Sequence, residues 1–221
     1  MTSDSKETIT LLLVDDDPII RAGLRAVLLG AEDIEILGEA ADGEEAQEMM
    51  SKLRPKILLL DLKMPGMSAA ELERWVREHH PETVTLVLTA HDRDAHLAGM
   101  IDAGAAGYMS KGGPVETLIA AIRRAAAGEL LFDIEQMARA RNWKTAVSEK
   151  LNRLTQRERL VLKLMSEGKD TKEIAQALSV SPKTVAFHIS GILERLEVDT
   201  RQKAVAWVHA NLGDDLERLL G

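Results

Sequence analysis

The sequence predicts an α/β domain built on a five-stranded, doubly wound parallel sheet, followed by a smaller all-α domain of four helices. Three observations carry this expectation. The first is a set of five short, mostly apolar runs: ITLLLV (9–14), IEILGEA (34–40), KILLL (56–60), TVTLVLT (83–89) and AGYMS (106–110). They have strand length, and near-continuous apolar character suits strands covered on both faces. The second is helical spacing in the stretches between them. The third is a change at Leu151, beyond which strand signals stop and only short helical patterns remain. Strands alternating with helices imply βαβ crossovers, and such sheets bind ligands beyond the carboxyl ends of their strands.

The elements follow in order. The first strand ends in VDDDP (14–18), where Pro18 suits the first position of a helix. Ile19, Ile20, Leu24, Val27 and Leu28 give that helix one apolar stripe; Leu72, Trp75 and Val76 form another, and Val115, Leu118, Ile119 and Ile122 a third. Gly128 and the LLF that follows end the first unit. Residues 133–150 lack Gly and Pro and read as a connecting helix. The expected division is 1–130, a connecting helix or linker at 131–150, and a helical domain with a short tail at 151–221. Function belongs just after Val14, Leu60 and Thr89 and near Ser110.

Composition narrows the field. The 221 residues are 45% apolar and 29% charged, enough to bury a core. No apolar run approaches the roughly 20 residues of a membrane helix, and MTSDSKETIT carries no basic-then-apolar leader. A cytoplasmic setting with no membrane partner is expected. Cysteine is absent, which excludes disulfides, thiolate catalysis and cysteine-ligated metals. The net charge of −8 is unevenly spread: residues 1–130 hold 13 Lys+Arg against 23 Asp+Glu, whereas residues 139–210 hold 14 against 8. An acidic front half and a basic rear half suit a regulatory domain joined to a nucleic-acid-binding one.

Asp15 and Asp16 follow the first strand and Asp61 the third. If these strands are neighbours, three carboxylates converge and repel one another unless a cation lies between them. Oxygen ligands of this kind suit Mg²⁺ with a phosphate as co-ligand. Thr89 adds a hydroxyl and Lys111 a point charge for a phosphoryl oxygen. Such a set can move a phosphoryl group onto a carboxylate. The plainer alternative makes the DDD run a helix cap and leaves Asp61 and Lys111 in solvated loops.

VDDDP, DLKMPGM (61–67), TAH (89–91) and AGYMSKGG (106–113) resemble the receiver domain of two-component response regulators, over roughly residues 8–130. The resemblance implies a flavodoxin-like fold and phosphorylation of Asp61 by a sensor histidine kinase. It implies Mg²⁺ held by the side chains of Asp16 and Asp61, by Asp15 through water and by the Lys63 backbone carbonyl. Thr89 would be the switch hydroxyl, Lys111 the phosphate-pairing cation and Tyr108 the aromatic that turns inward on activation; packing for bulk is the other reading of Tyr108. Lys63 and His91 occupy positions that face the attacking water in the family. Ser68 and Ala69 replace the Asp-Gly pair common after MPGM, a change confined to the local turn.

In the rear half, Thr155 and Glu158 fit a capping box. Leu160, Val161, Leu164 and Met165 form a buried face, and Gly168 ends the helix. Ile174, Ala175 and Leu178 mark the next helix, and Ser179-Val180-Ser181 leads to Pro182 at the start of a third. Helices are expected at about 155–167, 171–178, 182–196 and 200–212, the middle pair forming a helix-turn-helix. LTQRE, KEIAQAL, SVSPKTV, Phe187-His188 and Val198 resemble the LuxR-type domain across 151–212; receiver plus this domain is the architecture of the NarL/FixJ family. That implies promoter DNA as a partner and a homodimer on activation. The recognition helix departs from the pattern: Ala186 and Ser190 stand where lysine and a second basic residue are usual. The DNA contacts expected are Lys172, Lys183, Thr184, Phe187, His188 and Arg195. Phe187 either meets thymine methyls or belongs to the core, and His188 either reads DNA or is buried. The last helix carries Val205, Val208 and Leu212 on one stripe, for a dimer contact, for its own core, or for both. Trp143 is expected at the domain interface. The leading function is a phosphorylation-controlled DNA-binding regulator. The alternatives are a phospho-dependent protein-interaction module whose helix-turn-helix no longer reads DNA, and an ordinary phosphatase site.

Overall fold

The computed structural model describes residues 8–90 and 92–212; His91 and the tail 213–221 lie outside the described residues. The chain divides into two compact units, and the division falls between Arg139 and Ala140, inside the segment expected to connect the two domains.

The first unit holds β1 (Ile9–Val14), α1 (Pro18–Leu28), β2 (Ile34–Ala40), α2 (Gly43–Leu53), β3 (Ile57–Leu60), α3 (Ala69–His79), β4 (Val84–Thr89), α4 (Asp94–Ala103), β5 (Gly107–Ser110) and α5 (Val115–Ala126). The strands are all parallel, in the order β2-β1-β3-β4-β5. β3 lies at the centre and is buried at every position. Alternation along the strands divides the core. Leu11, Leu13, Leu59 and Leu86 face Leu118 and Ile122 of α5. Leu12 points the other way, toward Met49 and Leu53 around α2, where Gly38 leaves room that a Cβ would fill. Helix ends are fixed locally. The Asp17 carboxylate accepts from the Ile19 and Ile20 N–H groups to cap α1. Ser68 caps α3 in a reciprocal box with Glu71, which is what this departure from the usual Asp-Gly supplies.

α6 (Ile134–Arg153) begins in the first unit. There Gln136 Nε2 donates to the Tyr108 carbonyl at 2.9 Å, and Arg139 pairs with Asp92 and Asp94.

The second unit contains the rest of α6 with α7 (Gln156–Ser166), α8 (Thr171–Ala177), α9 (Pro182–Leu196) and α10 (Arg201–Asn211). Capping boxes open α7 (Thr155, Glu158) and α8 (Asp170, Glu173), and Ser181 caps α9. The turn between α8 and α9 passes through Ser179 at φ 54°. Val161, Leu162, Met165, Ile174, Val185, Ile192 and Leu196 form the core, closed by Ala204, Val208 and Leu212. Leu162 replaces Leu160 on the buried face of α7, because the helix is rotated by a fraction of a turn from the stripe expected. Trp143 belongs to this unit's own packing: it lies against the core and its Nε1 donates to Asn211 Oδ1 at 3.2 Å.

Candidate functional site

The sheet order brings β1 beside β3, with Val14 opposite Leu60. The next residues are therefore neighbours, and the Asp61 N–H donates to the Val14 carbonyl at 2.8 Å. Carboxylate oxygens of Asp15, Asp16 and Asp61 lie within 4.8 Å of one another. Asp15 and Asp61 are buried, at 1% and 6% exposure, while Asp16 faces solvent. Lys111, after β5, reaches both: its Nζ is 2.6 Å from Asp15 Oδ2 and 3.2 Å from Asp61 Oδ1. Its own N–H donates to the Thr89 carbonyl at 2.8 Å, which ties the ends of β4 and β5 together around the pocket. Thr89 is buried. Asp15 is held further by the Asp17 N–H, which donates to its Oδ1 at 3.0 Å, and by the Arg21 guanidinium, which donates to its carbonyl.

Burial pushes the Asp61 carboxyl above its ordinary value; the Lys111 charge and hydrogen bond oppose this, and Asp15 adds to it. Burial alone would lower Lys111, but its hydrogen bond to Asp15 and the charge of Asp61 hold the ammonium above its ordinary value. Three carboxylates against one ammonium leave negative charge uncompensated, and oxygen donors of this kind suit a hard divalent cation. Lys63 lies in the loop two residues beyond Asp61 with its side chain exposed. Tyr108 is buried, its phenol pushed up to about 12 chiefly by that burial.

The structure also brings in residues that spacing did not suggest. Arg139 donates to both oxygens of Asp92, just past β4, and reaches Asp94 at the start of α4. Forty-odd residues separate the partners in sequence, so only the folded chain reveals them.

In the second unit, α8 and α9 form the expected helix-turn-helix. Lys172 and Lys183 are exposed. Thr184 is half-buried, its hydroxyl 2.9 Å from that of Ser181. Phe187 is 75% exposed, which rules out the core reading. His188 is half-buried with its ring edge-on to Phe187, centroids 5.9 Å apart. Arg195, expected to contact DNA, has a partner inside the fold: its Nη1 lies 2.7 Å from Oε1 of buried Glu158, with the side chain 37% exposed. The other oxygen of Glu158 accepts from Thr155, so Arg195 is the counterion that lets this acid stay buried. Gly191 makes the passage possible; a Cβ there would sit 2.5 Å from Glu158 Oε1 and 2.6 Å from Arg195 Nη1.

Comparison with known proteins gives the same two parts. Residues 11–123 match the response regulator receiver domain and residues 152–208 match the bacterial regulatory proteins of the luxR family. The nitrate/nitrite response regulator NarL of Escherichia coli K12 is 34% identical over 209 residues, covering 93% of this chain and 97% of NarL. This chain belongs to the NarL/FixJ family of response regulators. The response regulator VraR of Staphylococcus aureus Mu3 is also 34% identical to it, over 90% of this response regulator and 96% of VraR. Among solved structures, the RcsB response regulator of Salmonella typhimurium, described for its conformational dynamism for DNA interaction, aligns with a TM-score of 0.65 at 25% identity, covering 91% of this response regulator and 99% of RcsB. An RcsB–DNA complex aligns with a TM-score of 0.62 at 25% identity, over 92% of this chain and 99% of that one. Among the described residues, no helix of this response regulator is long and apolar enough to cross a membrane.

Proposed function

We propose that this response regulator takes a phosphoryl group on Asp61 from a sensor histidine kinase, and that this controls binding of promoter DNA by the helix-turn-helix. The observation that carries the reading is Lys111 bridging Asp15 and Asp61, with Asp16 within reach of both. A carboxylate oxygen of Asp61 attacks the phosphorus of a phosphohistidine; the P–O bond forms as the P–N bond breaks, and the imidazole leaves to take up a proton. Asp15, Asp16 and Asp61, with the Lys63 carbonyl, would hold Mg²⁺, which offsets charge on the phosphoryl oxygens. Lys111 is close enough to exchange Asp61 for a phosphoryl oxygen while keeping Asp15. The Thr89 hydroxyl takes another oxygen, and the ring of Tyr108, on the neighbouring strand and already buried in this structure, packs toward the space Thr89 leaves. The protein's own chemistry is limited to this transfer and its hydrolytic reversal.

The receiver spans 1–130, the connecting segment 131–150 and the DNA-binding domain 151–221. The protein works in the cytoplasm, where kinase and chromosome meet. The similarity to RcsB, which has been solved with DNA, and the exposed Lys172 and Lys183 support DNA over a protein partner. With so few cations on the reading helix, useful affinity needs two copies on a two-part site. Mass spectrometry after incubation with a small acyl phosphate tests the chemistry. One added phosphoryl group is expected, dependent on Mg²⁺ and absent in Asp61→Asn; equal labelling of Asp61→Asn would reject the assignment.

A further inference from the structure

The first half of α9 is the part of a recognition helix that meets base edges. Its polar groups are largely engaged. The Thr184 hydroxyl is 2.9 Å from that of Ser181 at the cap. The Ser190 hydroxyl donates back to the Ala186 carbonyl at 3.1 Å. Farther along the helix, in its last turn, Arg195 is bound to Glu158. What faces outward is apolar: Ala186 is exposed, and Phe187 is 75% exposed with the His188 ring against its edge. Lys183, one turn before Phe187, and Lys172 on α8 are exposed and supply charge for phosphates on either side.

We infer that Phe187 and Ala186 form an apolar reading surface for thymine methyl groups, so that this response regulator selects half-sites by thymine at fixed positions and not by guanine. The inference rests on the DNA-binding reading and names the sequence class that reading takes. In the major groove, thymine alone presents a methyl group, and Ala and Phe are among the side chains that contact it. Guanine is usually gripped by Arg or Lys in bidentate fashion. Ala186 removes that option one position before Phe187, and Arg195 is held by its buried partner. A large apolar ring left in water on this face has lost nothing that a row of methyl groups would not restore. The flanking lysines match the phosphate backbone and not an apolar protein groove, which is why DNA is the occupant.

Full-length protein treated with acyl phosphate and Mg²⁺ is first used to select from a random duplex library. The selected duplexes are then remade with deoxyuridine in place of each thymine, which removes only the methyl group. Fixed thymines are expected, with affinity about fourfold weaker for each contacted methyl lost. Phe187→Ala, which removes an exposed side chain and leaves the fold intact, should lose most of the deoxyuridine penalty at the positions nearest residue 187 and keep it where Ala186 makes the contact. Selected sites that hold guanine at the fixed positions and ignore deoxyuridine would overturn the inference while leaving DNA binding intact. If the phosphorylated protein enriches no sequence at all, the DNA-binding reading itself fails and the inference goes with it.

Discussion

Arg139 grips Asp92 through two hydrogen bonds of 2.8 Å, one from each terminal nitrogen to each carboxylate oxygen. Its Nε holds Asp94 at 2.8 Å. Asp92 stands three residues past Thr89, and Asp94 opens α4, so the start of α6 is tied to the loop that follows the proposed switch hydroxyl. Gln136, one turn earlier, holds the carbonyl of Tyr108. The hydrogen bond from Arg139 holds the Asp92 carboxyl below its ordinary value of 3.8.

Arg139→Gln should therefore cost the first unit about 1 kcal/mol, a figure kept small because Asp92 is half exposed. The contribution has a defined pH window. A carboxyl whose folded value is lowered stabilises fully above its unfolded value and loses that stability as pH falls through the folded one. Urea unfolding should show the difference between wild type and variant above pH 4 and its decline below. Amide exchange across 92–96 should quicken in the variant. Unchanged exchange there would mean that Arg139 restrains nothing.

Lys111→Met leaves Asp15, Asp16 and Asp61 facing one another without their shared ammonium. The variant should melt at lower temperature than wild type in metal-free buffer, and added Mg²⁺ should raise its melting point by more than it raises that of wild type. Equal Mg²⁺ shifts in the two proteins would show that Lys111 and the cation do not serve the same cluster.

Glu73 is fully buried between α3 and β4, with Arg77 Nε 3.0 Å from its Oε1. Burial raises its carboxyl from 4.5 to about 7, against the opposing influence of the nearby Thr85 hydroxyl and the charge of Arg77. A carboxyl raised on folding favours the folded state while protonated, so this group costs stability progressively as pH rises from 4.5 to about 7. The full cost above pH 7 is about 3 kcal/mol. Glu73→Gln should flatten the pH profile of urea unfolding over that interval and be the more stable protein at pH 8. A wild-type profile already flat between pH 5 and 8 would show that Glu73 stays charged.

Arg195→Ala strands the Glu158 carboxylate in the core of the second unit and should destabilise that unit by about 2 kcal/mol, discounted because Arg195 is part exposed. Adding Glu158→Gln should recover part of the loss in a double-mutant cycle. DNA affinity measured where the variant remains folded should not change. A loss of affinity in the fully folded variant would return Arg195 to the DNA contacts.

The receiver pocket was legible in the sequence because its members sit immediately after apolar strands. Asp15, Asp61, Thr89 and Lys111 need only the strand order to converge, and parallel pairing supplies it. Arg139 was not legible: its partners lie 45 and 47 positions away, and nothing in local spacing links them. The partner of Arg195 was hidden for a related reason. A basic residue on a recognition helix suggests DNA, and only the fold reveals a buried acid 37 positions earlier that it also pairs with. Trp143 showed the same limit, since a large aromatic in a connecting segment does not declare which unit it packs on. Phe187 could be read as core or surface from its spacing, and its exposure decides the matter.

Gly191 divides α9 into positions coupled to the interior and positions that are not. A side chain at 191 would push aside the ends of both Glu158 and Arg195, so changes at 158, 191 and 195 are felt together. Residues 183, 186, 187 and 190 carry no such debt to the interior. A lineage of this protein could therefore exchange one set of target sequences for another by substitutions confined to one face of a single helix, with the thermal stability of the domain left where it was. The same separation marks those four positions as the ones to randomise when the regulator is to be redirected to a chosen operator.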